Sequence, residues 1–206
     1  MPTSKFSPDT LKSQILPEGG FATNERYQVI FTGLPSGIDP DSKTNIRLQF
    51  LCDSVAIPTK SIAAVDKFIY GVSYQVPYRQ TFAEVSMNFL VTDKMKEKVF
   101  FDNWQKKIVN ETTGDLKFYN NYTCDIIIKR FSKTASDFID PMYEIKIDRA
   151  WPSIVSEVQL NHAGGGEPIR LPVTFQYKKW RHVGGAVIPS SSNWLIGVYN
   201  VFTKTC

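Results

Sequence analysis

The chain has 206 residues, of which 42% are hydrophobic and 13% aromatic, and its formal net charge is +4. This length suits one domain with or without arms, and the apolar content can build a core without disulfides or metals. Basic and acidic residues are interspersed rather than gathered into runs, which favours a solvated surface of mixed charge over a nucleic-acid-binding face. Sequence-specific DNA binding receives no support.

Three cysteines, Cys52, Cys124 and Cys206, give an odd count without metal-ligand spacing. Cys52 and Cys124 lie in apolar runs and are predicted to be buried thiols. The first residues contain no apolar segment of a signal peptide, and no stretch approaches membrane-spanning length. We therefore expect a chain made in a reducing cytoplasm, with no membrane association.

Residues 1–24 are polar and rich in proline and glycine, which predicts an N-terminal arm. Within it, Ser7-Pro8-Asp9 predicts the start of a short helix that continues to Ile15, because proline in the first turn gives up no needed hydrogen bond.

From Tyr27 onward the sequence alternates apolar and polar residues, which is typical of strands with one face toward a core. Continuous apolar runs elsewhere predict strands that are buried on both faces. Predicted alternating strands cover residues 46–50, 85–89, 143–148, 158–160 and 171–177, and predicted fully buried strands cover residues 27–31 and 124–131. About seven such strands predict an antiparallel sandwich or barrel.

One segment breaks this period, between Thr92 and Asn110. Its apolar residues recur at spacings of three to five, which predicts an amphipathic helix of about five turns. Thr92 or Asp93 is predicted to cap its N-terminus.

Three segments lie outside the clear strand pattern, and two of them suggest contact with other chains. Residues 53–66 are weakly patterned and predicted to form a loop, whereas residues 68–80 are aromatic and poor in charge, as is typical of an interface. An ordinary core hairpin is the competing interpretation of the second segment. Residues 183–206 form a C-terminal extension whose apolar end must dock on something. The candidate contact residues are Phe68, Tyr70, Tyr74, Tyr78, Trp194 and Phe202.

The sequence shows no pattern that supports catalysis. His162 and His182 have no carboxylate or cysteine at ligand spacing, and both are predicted to lie in turns. The triple glycine at residues 164–166 lacks the lysine and the following helix of a phosphate-binding loop, so a hairpin turn explains it better. We therefore predict no catalytic, cofactor-binding or metal-binding residues, no cofactor and no enzymatic activity.

An ordered set of motifs resembles the tail tube proteins of contractile-tail (myovirus-type) bacteriophages. The most specific block is residues 145–160, IKIDRAWPSIVSEVQL, in which a strand leads into Trp151-Pro152 and a second strand follows. Weaker pieces occur in the same order as in that family. They are residues 20–29, 50–58, 79–82, 85–91, 101–104 and 168–180. The resemblance covers residues 8–180, and the extension at 183–206 departs from it.

This resemblance implies a mainly β domain at residues 25–182, with two packed antiparallel sheets, or a barrel-like arrangement, and one long helix. Trp151 and Pro152 would form a structural corner at which the strand stops, since proline cannot donate to a ladder. Subunits would join into hexameric rings that stack through a hairpin at residues 53–80 and the terminal arms, forming a channel for DNA inside a contractile sheath. Implied partners are the chain itself, the sheath protein, baseplate and tube-terminator proteins, and phage DNA held without sequence specificity. The implied location is the virion tail, assembled in the host cytoplasm.

Three other interpretations stay open at this point. A baseplate protein that initiates the tube would share the fold and add extensions, and a tube protein of a related contractile injection system would share it too. From another class, a carbohydrate-binding β-sandwich module would use exposed Trp and Tyr side chains to stack on sugars.

Overall fold

The structure is a computed structural model, and it describes residue 22 and residues 24–39, 43–132, 141–160 and 166–184. The short helix predicted before Ile15, most of the arm and nearly all of the C-terminal extension lie outside the described residues.

The described residues are mainly β-structure with three helical segments. The strands are β1 (Tyr27–Thr32), β2 (Cys52–Val55), β3 (Lys60–Ile69), β4 (Val72–Phe82), β5 (Val85–Leu90), β6 (Cys124–Phe131), β7 (Pro141–Val155), β8 (Arg170–Gln176) and β9 (Lys179–Gly184). The helices are α1 (Thr44–Leu51), α2 (Lys96–Ile108) and the single turn α3 (Tyr119–Tyr122).

Seven strands form one bent antiparallel sheet in the order β1-β6-β7-β8-β5-β2, with β9 also paired to β7. The 15-residue β7 connects its two halves. Its first part pairs with β6 and β9, and its last part, from Trp151, pairs with β8. Arg149 has a φ of 55°, and the β6–β7 register shifts beside it, as in a bulge that bends a strand. The bend brings β1 of one half against β5 and β8 of the other.

Aromatic side chains fill the space between the two halves. The ring of Phe31 on β1 lies 6.2 Å from that of Phe89 on β5 and 6.0 Å from that of Phe175 on β8. Helix α2 adds Phe101 and the fully buried Trp104 to this cluster. The Trp104 Nε1–H donates to the carbonyl oxygen of Tyr122 at 2.7 Å, so its polar atom is paired inside the core. The mainly β fold with packed antiparallel sheets is confirmed.

Several predicted strands match observed ones within two residues. They are residues 27–31 in β1, 85–89 in β5, 124–131 in β6 and 171–177 in β8, while residues 143–148 lie inside β7. The prediction of a strand at residues 158–160 is wrong, because residues 156–160 belong to no strand or helix.

The strand predicted at residues 46–50 is also wrong, because this segment lies in helix α1. Only Thr44 and Leu48 of the helix are buried. Its N-terminus is held by a residue outside the helix, since the N–H of Asn45 donates to Asp39 Oδ2 at 3.1 Å. A backbone donor satisfied in this way favours a helix start at Thr44.

The helix predicted between Thr92 and Asn110 spans Lys96–Ile108, so it has 13 residues and is shorter than the five turns expected. Neither Thr92 nor Asp93 caps it. The residue before the first turn is Met95, which has a left-handed φ of 50° and makes no side-chain cap. Thr92 instead donates its N–H and its hydroxyl to the buried carboxylate of Glu97.

The predicted strand end at Pro152 is wrong as well. Strand β7 continues to Val155, and Pro152 lies opposite Phe175 next to a register shift. Proline is tolerated at a bulge because the ladder needs no donor there. The bend that the sequence assigned to Trp151-Pro152 lies two residues earlier, at Arg149.

Candidate subunit interface

Strands β3 and β4 form a hairpin that is a separate two-stranded sheet. Tyr70 and Gly71 make its turn, with φ values of 50° and 83°. Two central residues with positive φ are the mark of a type I′ turn, whose twist matches that of the flanking strands. Glycine accepts this backbone at no steric cost, whereas tyrosine in the left-handed region is uncommon.

The side chains of this hairpin are mostly exposed. Phe68 is 76% exposed and Tyr70 is fully exposed, and Tyr74 and Tyr78 also face solvent. A two-stranded hairpin is marginally stable by itself in water. The structure therefore brings four of the predicted contact residues together on one uncovered element; their role in contact stays a prediction.

The register divides the hairpin into two faces, because successive strand residues point to opposite sides. One face carries the pairs Val65–Val76 and Lys67–Tyr74, and the other carries Ala64–Pro77 and Phe68–Ser73. The register shifts between Ala63 and Ala64, where Tyr78 is the extra residue of the bulge. Both faces thus present apolar side chains to solvent.

The base of the hairpin is anchored on the corner between β8 and β9. The ring of Phe82 lies 6.0 Å from that of Tyr177, and Lys60 Nζ lies 5.0 Å from the ring centre of Trp180. Burial raises the pKa of Tyr177. The anchored base fixes the direction in which the hairpin leaves the sheet, while its outer part stays available to a partner.

Sequence reasoning missed several exposed apolar residues. Ile62 and Val65 lie on β3, within the segment that was predicted to be a loop. Ile46 and Phe50 lie four residues apart on α1, and Leu116 and Phe118 lie after α2. Residues 60–69 do not alternate apolar and polar side chains, so their pattern gave no clear signal for β3. Ile46 and Phe50 were assigned to a strand, although they lie on a helix.

Trp151 and Pro152 lie next to the bend rather than at a strand end. Trp151 is partly buried and meets the ring of Tyr122 edge-on at 6.2 Å, and Pro152 is buried. Both border a groove of about 520 Å³ beside the last turns of α2. Trp151 and Pro152 thus pack beside the bend, and their role as a structural corner stays a prediction.

The bend itself is held by charged groups. The N–H of Arg149 donates to Asp125 Oδ1 at 3.0 Å, and Lys146 Nζ lies 2.7 Å from Asp125 Oδ2. Partial burial raises the pKa of Asp125, but the hydrogen bonds from Lys146 and Arg149 and their charges outweigh it, so the pKa lies below its usual value. The hydroxyl of Tyr119 also donates to the carbonyl oxygen of Arg149.

Among the described residues, no group of His, Cys, Asp and Glu is arranged to hold a metal ion. The prediction of a turn at His182 is wrong, because it lies on β9 with its ring 5.0 Å from that of Tyr143. His162 lies outside the described residues. Cys124 is buried and Cys52 is half-buried. Trp194, Phe202 and Cys206 also lie outside the described residues. Within the described ranges, no helix has both the length and the apolar character needed to span a bilayer.

The protein is a two-layer antiparallel β-protein with an uncovered hairpin. Its sequence matches the family of phage tail tube proteins over residues 22–183. The chain belongs to this family and is a structural subunit of a phage tail tube, a component of the virion tail. No curated protein sequence matches it.

Solved structures share the fold at low sequence identity. A chain from the extended sheath-tube complex of the PVC extracellular contractile injection system is 14% identical, with a TM-score of 0.55 over 87% of this chain and 100% of that chain. A chain from the extended sheath/tube terminator of the same system is 12% identical, with a TM-score of 0.56 over 80% and 97%. A chain from the 6-fold symmetrised baseplate of the anti-feeding prophage is 12% identical, with a TM-score of 0.55 over 81% and 98%.

Proposed function

We propose that this subunit assembles into hexameric rings that stack into a tube with a central channel for DNA, inside a contractile sheath. The observation that carries the proposal is the hairpin of β3 and β4, which exposes aromatic and aliphatic side chains on both faces. It is the part of a tube subunit that is best placed to reach the next ring.

The burial of apolar surface favours binding of a partner to the hairpin. Burying a large apolar side chain in an interface stabilises the complex by roughly 1.5–3 kcal/mol. Phe68, Tyr70, Val72 and Tyr78 are each at least 62% exposed in the isolated chain. Burying them together would offset much of the entropy lost when two subunits associate. The hairpin strands would then be stabilised by the neighbouring subunit rather than by their own core.

Lateral joining of subunits would use the two terminal strands of the bent sheet. Strands β1 and β2 end the strand order, so within the described residues each pairs with a strand on one side only. Edge strands present backbone donors and acceptors that pair readily with another chain. When one surface of a subunit binds a different surface of the next, and the rotation between subunits adds up to a full circle, the subunits form a closed ring. The 6-fold symmetry of the anti-feeding prophage baseplate supports six subunits.

The proposed partners follow from the family and the fold. Structures with this fold come from assemblies of tube with sheath, baseplate and terminator, and we assign the corresponding contacts to this subunit. Its net charge of +4 is spread over interspersed residues, which suits a channel that passes DNA without holding phosphates. The subunit would assemble in the host cytoplasm and act structurally, without catalysis.

A ring at one end of the tube, such as a baseplate initiator, is the second candidate. It is favoured by the likeness to a baseplate chain, with a TM-score of 0.55 that equals the value for the sheath-tube chain. Gold-labelled antibody against this protein on intact particles separates the two roles. Label along the whole tail is expected for the tube, and label at one end only would favour the initiator.

Negative-stain electron microscopy of the purified protein, over a range of concentrations, tests the main proposal. We expect hollow tubes or six-fold rings, with more tubes at higher concentration. Particles that stay monomeric, also when baseplates are added as a template, would contradict it.

A further inference from the structure

The structure also indicates where the hairpin of one subunit binds on the next. We infer that the hairpin tip docks on the exposed face of helix α1, formed by Ile46 and Phe50, of a second copy of this chain. This inference rests on the proposed stacking of rings, and it names the acceptor surface that stacking requires.

Helix α1 carries an apolar face that its own chain leaves uncovered. Ile46 is 56% exposed and Phe50 is 76% exposed. Residues four apart lie side by side on a helix, so the two side chains form one patch, here named the α1 patch. Thr44 and Leu48, on the opposite side, are the buried residues of α1. Adjoining apolar side chains on the surface favour a contact that removes them from water.

The α1 patch and the hairpin lie at opposite ends of the same sheet. Strand β5 begins at Val85, three residues after the hairpin ends at Phe82, and runs away from it to Leu90. Helix α1 leads directly into Cys52, which pairs with Phe89 near the far end of β5. Subunits that stack head to tail bring opposite ends together. The hairpin of one copy therefore meets the α1 end of the next.

Another exposed apolar patch among the described residues, formed by Leu116 and Phe118, lies at the wrong end for this contact. It follows the C-terminus of α2, and the N–H of Lys117 donates to the carbonyl oxygen of Ile108 in the last turn. That end of α2 borders a groove with Trp151, which pairs with Gln176 beside the hairpin base. In a head-to-tail stack the 116–118 patch points in the same direction as the hairpin, so it cannot receive the hairpin of the next copy.

Cross-linking between introduced cysteines tests the contact. Arg47→Cys lies next to Ile46 on an exposed position of α1, and Ser73→Cys lies opposite Phe68 near the hairpin tip. Both changes replace exposed polar residues and leave the apolar side chains in place. The matched control combines Ser73→Cys with Lys117→Cys, at an exposed position between Leu116 and Phe118. Cys206→Ser is added to each variant, and Cys124 and Cys52 are buried or half-buried.

Assembled polymers are treated with a short bismaleimide and separated on a denaturing gel. We expect a ladder of dimers, trimers and larger species for the Arg47→Cys/Ser73→Cys chain, at least tenfold stronger than for the control. An equal or stronger ladder in the control, or none from polymers that microscopy shows to be intact, would overturn the inference and leave the proposed function standing. Wild-type protein that never polymerises would overturn both.

A charge substitution gives a second readout that does not depend on introduced thiols. Phe50→Asp should reduce the yield of tubes at least tenfold, while its circular dichroism and melting temperature stay near those of the wild type. Phe118→Asp adds the same charge on a comparably exposed aromatic residue and should leave stacking in place. Normal tubes from Phe50→Asp would overturn the inference.

Discussion

The hydroxyl of Tyr27 donates a hydrogen bond to the carbonyl oxygen of Cys52 at 2.9 Å. Tyr27 begins β1 and Cys52 begins β2, the two strands at opposite ends of the strand order. A single side chain thus joins the outermost strands of the bent sheet, where no backbone ladder connects them. The bond fixes the position of β2 and of helix α1, which immediately precedes it.

Removing this bond should make the fold less stable and less sensitive to alkaline pH. Burial, with the neighbouring Cys52 and Asp53, raises the pKa of Tyr27 to about 12. Because this pKa is higher than in the unfolded chain, the contribution to stability is complete below about pH 10 and is lost as the pH rises toward 12. Tyr27→Phe should cost about 1 kcal/mol at pH 7, and the cost should shrink above pH 10. Urea unfolding of both proteins at pH 7 and above pH 10 measures the difference in the free energy of unfolding. A difference that stays constant to pH 12 would contradict the prediction.

The buried carboxylate of Glu97 should be needed for the start of helix α2. It accepts the N–H of Thr92 at 3.0 Å and its hydroxyl at 2.8 Å. Glu97→Ala leaves both donors without this partner and should destabilise the fold by about 2 kcal/mol, as measured by chemical denaturation. Thr92→Val, the control, removes only the hydroxyl and should cost less. Equal costs for the two variants would show that the backbone N–H bond contributes nothing.

The bend of β7 should depend on the charge of Asp125. The pKa of this carboxylate is lowered in the folded state, so its contribution is present above the unfolded value of about 3.9 and is lost as the pH falls through the folded value. Asp125→Asn should therefore destabilise the fold at pH 7, and the difference from the wild type should disappear in acid. The control, Asp53→Asn, breaks the exposed pair with Arg170 and should cost less than about 0.5 kcal/mol. A difference that stays the same from pH 7 to pH 2 would refute the role of the charge.

Shortening the hairpin should abolish stacking without unfolding the subunit. Replacing residues 64–78 by Asn-Gly places a two-residue turn between Ala63 and Arg79, which already pair in the native register. The aromatic residues at the base stay in place, so the melting temperature should change by only a few degrees. Electron microscopy should then show single rings or monomers. Normal tubes from this variant would show that the hairpin does not join one ring to the next.

The strands could be predicted from the sequence where alternation or apolar runs reflect burial, as in β5, β6 and β8. The alternation of apolar and polar residues at 46–50 led to a wrong prediction of a strand. Ile46 and Phe50 are exposed, so this alternation does not reflect a buried strand face. What favours a helix there is the contact of the Asn45 N–H with Asp39, outside the helix. Such a contact depends on how the preceding loop folds and leaves no periodic signal.

The bend of β7 at Arg149 could not be predicted because Trp151-Pro152, which lies nearby, is a stronger signal for the end of a strand. Pro152 is a strand breaker by itself, yet it occupies a bulge where no donor is required. Arg149 has no intrinsic preference for positive φ and is held there by Asp125 on the neighbouring strand. For the candidate interface, aromatic content indicated residues 68–80 correctly as an exposed element. The residue pattern did not show β3, because Ala63 and Ala64 interrupt any alternation there; only the family resemblance indicated a hairpin over residues 53–80.

In the proposed tube, the hairpin of each subunit joins one ring to the next. A cryo-electron microscopy reconstruction of the assembled tube tests it most directly. We expect six hairpins per ring, each crossing to the adjacent ring with Phe68 and Tyr70 buried against helix α1 of another subunit. Tubes in which every hairpin folds back on its own subunit, or in which Tyr70 stays exposed to solvent, would contradict it.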